Sequence, residues 1–381
     1  MGADAIAFVR GLTTCFADLH DPRVRGRCDH ELLDILAITS LAVLCGADDW
    51  PDVEVFGRKR DEWLRGFLPL PNGIPSHDTF RRVFGLLDRQ HFSTCLFQWT
   101  RALHEATGGK VIAIDGKTAR RSFRKKSGLG ALHLVTAWAA QSGLTLGQVA
   151  RAEKSNEITA IPELLEVLDI KGCTVTIDAM GCQKEIASQI RTQQGHYVLA
   201  LKGNQSGLER DMCQLLGEAL EADVPVPKGE VHEASEKGHG RVEQRTCRAI
   251  AIPADHPQRS IWKGLCTLVV LTCCRIVGGR ETWETRLYIS SLKPKAKALA
   301  TAIRQHWGIE NTQHWSLDVT FGEDVRRQQD RNGAANLGAV RRLALSLLRQ
   351  DKTNRRGLKN KRLACALDPE YLLTVLANAR F

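Results

Sequence analysis

The run Lys110-Val-Ile-Ala-Ile-Asp115-Gly116-Lys117 constrains this chain more than any other stretch, because four consecutive β-compatible residues end on a carboxylate followed by glycine. Such a run reads as a strand buried on both faces, and an unpaired Asp at its end would be costly to bury. Asp115 is therefore expected to meet something positive at the C-terminal rim of a sheet, where open α/β sheets hold their ligands. The alternative is a turn Asp that caps the next element. The pattern recurs in Cys173-Thr-Val-Thr-Ile-Asp178-Ala-Met-Gly181, and a third carboxylate, Glu310, interrupts the apolar face of a late helix. Acids delivered by two strands and a helix point to a divalent-metal site made by Asp115, Asp178 and Glu310.

Hard oxygen donors suit Mg2+ or Mn2+ rather than zinc. Two such ions about 3.5–4 Å apart serve the attacking and leaving oxygens of a phosphodiester, so no serine or cysteine nucleophile has to be found. The charge balance agrees with a polyanionic partner: 53 Lys+Arg against 43 Asp+Glu give a net charge of +10. That charge is clustered. Lys117, Arg120, Arg121, Arg124, Lys125 and Lys126 follow the first Asp with no acid among them, and they are expected, with Lys202, to hold phosphate. A second basic tract, Arg341 to Arg362, reads equally well as a solvated helix face. His306 and His314 each lie one turn from Glu310 and are candidates for orienting a metal ligand, with a structural role as the competing reading. Twelve scattered cysteines without a C-x-x-C pair read as reduced, buried small hydrophobes, and the apolar run Leu32 to Cys45 is too short for a membrane span and carries Asp34. The expectation is a cytoplasmic, nucleoid-associated protein.

In chain order, residues 1–105 read as an all-helical domain. Helices are expected over His30 to Cys45, ending at Gly46, over Val53 to Phe67, after an N-cap at Ser76, and through Phe92, Leu96, Trp99 and Leu103. Paired Arg81 and Arg82 after a turn fit a DNA-binding helix-turn-helix and any small helical bundle alike. Residues 106–225 change to strands and helices: strands Val111 to Asp115, Ala131 to Ala140 and Leu144 to Arg151, a helix from Glu157 to Leu168, strand Cys173 to Asp178, a helix from Cys182 to Thr192, and strand His196 to Leu201. Three meandering strands followed by two that alternate with helices is the order of an RNase H-like mixed sheet, in which the first strand lies beside the fourth. Asp115 and Asp178 would then end adjacent strands. Residues 226–292 read as a β-rich insertion, and residues 293–381 complete the core with a helix from Ala296 to about Leu317 and a basic helical C-terminus.

The same residues carry a resemblance that spans nearly the whole chain. Asp21-Pro-Arg, Leu-Cys45-Gly-Ala-Asp-Asp-Trp50 and Pro71-Asn-Gly-Ile-Pro-Ser-His-Asp-Thr-Phe80 resemble the transposase-associated N-terminal domain of ISAs-type, or H-repeat-associated, bacterial insertion-sequence proteins. So do Ile114-Asp-Gly-Lys-Thr118, Lys154-Ser-Asn-Glu-Ile-Thr159, Thr176-Ile-Asp-Ala-Met-Gly-Cys-Gln183, Leu201-Lys-Gly-Asn-Gln205, His239-Gly-Arg241 and His306-Trp-Gly-Ile-Glu-Asn311, in that order. The resemblance implies a DDE transposase with an RNase H-like core, a β insertion before the last acid, and Asp115, Asp178 and Glu310 as ligands of two Mg2+ (or Mn2+) ions. It also implies contacts from Asn204 and Arg241 to double-stranded DNA, both the element's terminal inverted repeats and the target, and a homo-oligomer that holds two ends together. The superfamily's Y-R-E-K signature is met only in part: with Glu310 as its acid, the other positions hold Ile303, His306 and Leu317. Asp318 competes as third acid, and Glu323 and Asp324 lie close by. A nuclease without strand transfer and a decayed DNA-binding protein are the rival functions.

Overall fold

A computed structural model describes residues 3–24, 26–107, 110–120, 122, 130–151, 157–220, 229–238, 240–325 and 330–377. The chain divides into two compact units: Met1–Gly109, Gly116–Ala160 and Ile309–Phe381 form the first, and Lys110–Asp115 with Ile161–Gly308 the second. Among the described residues nine strands, β1 (Val111–Ala119), β2 (Leu132–Ala139), β3 (Leu144–Arg151), β4 (Thr174–Ile177), β5 (His196–Leu201), β6 (Glu230–Gly238), β7 (Arg241–Ala251), β8 (Thr267–Val277) and β9 (Arg280–Ser290), are hydrogen-bonded in the order β3-β2-β1-β4-β5-β9-β8-β7-β6. This is a mixed sheet with the first strand beside the fourth, as the meander-then-alternate pattern requires.

In the first unit the helices Ala3–Cys15, Leu32–Leu44, Trp50–Lys59, Asp61–Arg65, His77–Leu86 and Arg89–Thr107 precede β1. The helix Leu32–Leu44 is apolar all round, so it is buried all round; every residue from Asp34 to Leu44 is inside. Asp34 is tolerated there because its carboxylate accepts the Leu70 backbone N–H at 3.1 Å. Ser76 caps the next helix as its sequence predicts, accepting from Thr79 N–H. The expected helix Val53 to Phe67 is instead two, broken at Arg60, whose guanidinium is drawn to the Ala366 carbonyl at 2.6 Å. The axis of this unit is the helix Arg331–Gln350, buried at every position from Gly333 to Leu348. It packs against the helices Leu32–Leu44, His77–Leu86 and Arg89–Thr107 and against the β2–β3 hairpin. That hairpin turns at Gly143, whose φ of +71 favours glycine, and it is pinned by Ser93 Oγ to Gln148 O (2.9 Å) and Gln313 Nε2 to Thr145 Oγ1 (2.8 Å).

In the second unit β1, β4 and β5 run parallel, with Val111 opposite Thr174 and Thr174 opposite His196. Their burial on both faces explains the unbroken apolar runs. The β-rich segment is part of this sheet: β9 pairs antiparallel with β5, and β8, β7 and β6 follow outward. The helix Ala296–Gly308 packs on β4, β5, β6, β7 and β8. No helix among the described residues is long and apolar enough to cross a membrane, and no disulfide joins any of the twelve cysteines.

Candidate active site

The register of β1 on β4 carries the site. Ile114 stands opposite Ile177, so the next residues, Asp115 and Asp178, are neighbours at the C-terminal rim of two parallel strands whose backbones lie about 4.8 Å apart. Both are half-buried. Asp178 Oδ1 accepts the backbone N–H groups of Met180 (3.1 Å) and Gly181 (3.3 Å), which folds Ala179–Gly181 into a tight turn. A side chain at Gly181 would run into Ile177 and come within 2.9 Å of Ile161 Cδ1, so this turn excludes larger residues. The loop after β5 braces the turn. Asn204 Nδ2 donates to Ala179 O at 2.6 Å, and Gln205 Nε2 donates to Cys182 O at 2.9 Å. Asn204 thus holds the acid's turn in place, and Lys202 is exposed at the same rim.

His306 reaches this sheet from the helix Ala296–Gly308. Its Nδ1 shares a hydrogen bond of 3.0 Å with Thr176 Oγ1, two residues before Asp178. Burial lowers its pKa to about 4, so the imidazole is neutral at pH 7. Beyond Gly308 the helix continues as a π-helical segment, Ile309–His314, and then as Trp315–Val319. Glu310 lies in this π segment and is exposed, whereas Ile303 and Leu317 are buried. The expectation of a carboxylate inside a packing stripe is corrected here. The wider turn shifts the helix phase, so a residue that falls on the apolar face at a 3.6 period is turned to solvent. His314 is driven to a pKa of about 3, first by burial and then by the nearby Arg342 and Lys117 charges, and it too is neutral at pH 7.

β1 does not stop at Asp115; it runs on to Ala119. In that continuation Lys117 is only 8% exposed and carries its ammonium into three carboxylates: Asp318 at 2.7 Å, Asp324 at 3.2 Å and Glu323 at 3.3 Å. Burial alone would lower its pKa, but these charges outweigh burial and raise it. The ammonium expected to meet phosphate is thus already enclosed by acid. Glu323 is shared with the fully buried Arg342, whose Nη1 lies 2.7 Å away. Arg120 is exposed and paired with Asp324 at 3.4 Å. Arg121, Arg124, Lys125 and Lys126 lie outside the described residues. Arg241 is exposed and beside Glu243 at 3.1 Å, at the tip of the β6–β7 hairpin. Because Leu201 faces Leu287 while β9 begins at Arg280, these outer strands run seven residues, roughly 24 Å, past the end of β5 on the side that bears the acids.

Two features leave almost no mark in the sequence. His133 and Glu157 form a buried hydrogen-bonded pair against Gly116, where any Cβ would collide with both. Its one outward sign is the place of Glu157 within Lys154-Ser-Asn-Glu-Ile-Thr159. The tract Arg341 to Arg362 is neither a solvated face nor a uniform basic surface: Arg341, Arg342, Lys361 and Arg362 are buried, while Lys352, Arg355, Arg356 and Lys359 are exposed.

The donor chemistry fits a hard divalent cation. Mg2+ is commonly held by one or two carboxylates together with substrate phosphate oxygens, and Asp115 and Asp178 supply two side by side. Among the described residues no cluster of three or more metal-ligating side chains is gathered.

The two aspartates of this rim and the turn that follows it fall within a stretch that matches a known family. Residues 81–347 match the Transposase DDE domain family and residues 13–100 the DDE_Tnp_1-associated family. The chain belongs to the DDE transposase family. It is 41% identical to "Putative transposase YncI" of Escherichia coli O157:H7, over 97% of this chain and 95% of that protein. It is 40% identical to "H repeat-associated putative transposase YhhI" of Escherichia coli strain K12, over 94% of this chain and 96% of that one. The piggyBac transposase of a cryo-EM synaptic complex with hairpin DNA covers 96% of this chain, with 78% of its own length matched, at 10% identity and a TM-score of 0.42, a level at which no residue correspondence is drawn.

Proposed function

We propose that this chain is the transposase of a bacterial insertion sequence, which binds the element's terminal inverted repeats, hydrolyses a phosphodiester at each end and joins the freed 3′-hydroxyl to target DNA. The observation that carries the reading is the Ile114–Ile177 register, which sets two carboxylates side by side at a strand rim. Asp115, Asp178 and Glu310 are the proposed holders of two divalent ions, Mg2+ or Mn2+, on an RNase H-like core. Bound there, the ions would activate the attacking hydroxyl and offset the charge on the leaving oxygen.

The protein's own groups do the rest. Asp178 is oriented by the two N–H groups of its turn, and Asn204 fixes that turn through Ala179 O. Neutral His306 holds Thr176, and with it the end of β4, without adding a positive charge that would compete with a cation. Lys202 and Arg120, both exposed, are proposed phosphate contacts, joined by Arg121, Arg124, Lys125 and Lys126. The outer strands that run past the rim give Arg241 a reach toward flanking duplex. Residues 1–105 would serve end recognition, and two copies would hold the two ends together.

The test is cleavage of a labelled duplex carrying the element's ends, with Mg2+ or Mn2+, by wild type and Asp178→Ala. The reading expects the variant to bind the ends like wild type and to cut none. Loss of binding along with cutting would make Asp178 a structural residue. Cutting by wild type without joining to target would leave a nuclease, and binding without cutting a decayed DNA-binding protein.

A further inference from the structure

The tripeptide Asp115-Gly116-Lys117 is gripped on both faces of β1. On one face Lys117 stands among Asp318, Asp324 and Glu323, with Glu323 held from behind by Arg342. On the other, Gly116 lies flat on the buried His133–Glu157 pair, and Thr118 Oγ1 bonds His133 Nδ1 at 3.0 Å. Buried ion pairs are weak sources of stability, since apolar residues of like size often serve as well or better. What such a cluster supplies is a fixed geometry: one ammonium can satisfy three carboxylates from different chain positions only if those positions are held still.

We propose that Lys117 is a positioning residue of the cleavage reaction, which pins the Asp318–Asp324 segment, the continuation of the helix that bears Glu310, to β1, the strand that carries Asp115. Three observations carry this. Lys117 lies two residues from one proposed metal ligand, its acids follow Glu310 by eight to fourteen residues, and the π-helical segment between them turns Glu310 outward. π-helical turns are rare, mostly single-turn insertions in α-helices, and on this proposal the Lys117 cluster, which lies just beyond this one, fixes its phase. On this account Lys117 works through Asp318, Asp324 and Glu323, and never touches DNA. The inference rests on the reading of Asp115 and Glu310 as metal ligands.

The test uses the full chain: wild type, Lys117→Met, Lys117→Arg, Asp318→Asn and, as reference, Glu310→Gln. Four quantities are read: melting temperature, end-DNA binding and its salt dependence in Ca2+, Mn2+ affinity by the electron paramagnetic resonance of free Mn2+, and single-turnover cutting across an Mg2+ titration. Lys117→Met is expected to bind ends within about twofold of wild type with an unchanged salt slope, while Mn2+ affinity and cutting each fall about 10–100-fold, the range for groups that orient metal ligands. Lys117→Arg should fall between the two. Asp318→Asn, at a half-exposed site that folding tolerates, should raise the half-saturating Mg2+ several-fold and lower the saturated rate by less than tenfold. If Lys117→Met does not fold, Lys117→Arg and Asp318→Asn decide. Wild-type Mn2+ affinity and Mg2+ dependence in both, with only the melting temperature lowered, would make the cluster purely structural. A reduced salt slope in Lys117→Met would return Lys117 to phosphate binding. A Glu310→Gln protein that binds Mn2+ and cuts like wild type would instead sink the ligand assignment beneath the inference.

Discussion

Replacing Gly116 by alanine adds one methyl group to a strand whose backbone any residue can adopt, since its φ is not positive, yet the change should be severely destabilising. The added Cβ would stand where Glu157 Oε1 and His133 Nε2 already are, and those side chains are only 6% and 1% exposed. One of the two must leave, and each buried polar group left without its partner costs about 1–3 kcal/mol. Crowding of the strand adds about 1–3 kcal/mol. Against this, a buried methyl contributes about 0.8 kcal/mol, and the loss of glycine's freedom in the unfolded chain about 0.4–1 kcal/mol. Central values of these ranges give a net loss of about 2.5 kcal/mol, a large share of the roughly 5–15 kcal/mol that a folded domain commands. Urea unfolding followed by tryptophan fluorescence and circular dichroism measures it. Glu157→Ala should cost about as much alone, yet the double variant Gly116→Ala/Glu157→Ala should be more stable than the sum, because truncating Glu157 opens the space the methyl needs. A single variant within about 0.5 kcal/mol of wild type, the range of an ordinary surface change, would refute the reasoning.

Further outcomes follow from the same architecture. Arg342→Met strands Glu323 in the core beside Lys117 alone and should cost about 3–5 kcal/mol, whereas Arg356→Ala on the exposed half of the same tract should stay within about 0.5 kcal/mol; equal effects in thermal unfolding would contradict the division of that tract. His306 and His314 have folded pKa values near 4 and 3, below the unfolded value, so the unfolded chain binds protons that the folded chain refuses. Their contribution is whole above about pH 6.5 and is lost as pH falls toward 4, by up to about 2–3 kcal/mol for each. Urea midpoints should therefore drop across that window, and His314→Gln should flatten the drop; an unchanged profile would mean the ring is solvated. Neutralising Arg124, Lys125 and Lys126 together should weaken end binding and reduce the salt slope by up to about 0.9 for each phosphate no longer neutralised, and an unchanged slope would remove that segment from the DNA interface.

Much of this was legible in the chain because strands and their rims leave strong local marks. Val111 to Ile114 and Thr174 to Ile177 are unbroken apolar runs since parallel strands bury both faces, and the acid that follows each marks the rim. Ser76 announced a cap through its own chemistry. What failed to show were effects that depend on distant partners. Lys117 looks like the first member of a basic run, and only the fold brings Asp318, Glu323 and Asp324 to it from two hundred residues away. Arg341 and Arg342 look solvated by composition, yet they sit in a helix buried at every face. The exposed place of Glu310 was hidden because a period of 3.6 cannot register a π-helical turn.

The central claim, that this member of the DDE family cuts its element's ends with Glu310 as third acid, is tested most directly by metal-dependent cleavage of end DNA by wild type, Glu310→Gln and Asp318→Asn side by side. The account predicts that wild type cuts with Mg2+ or Mn2+, that Glu310→Gln binds the ends but cuts none, and that Asp318→Asn still cuts at saturating metal within about tenfold of wild type. Abolition of cutting in Asp318→Asn with Glu310→Gln still active, or binding without cutting by wild type in either metal, would contradict it.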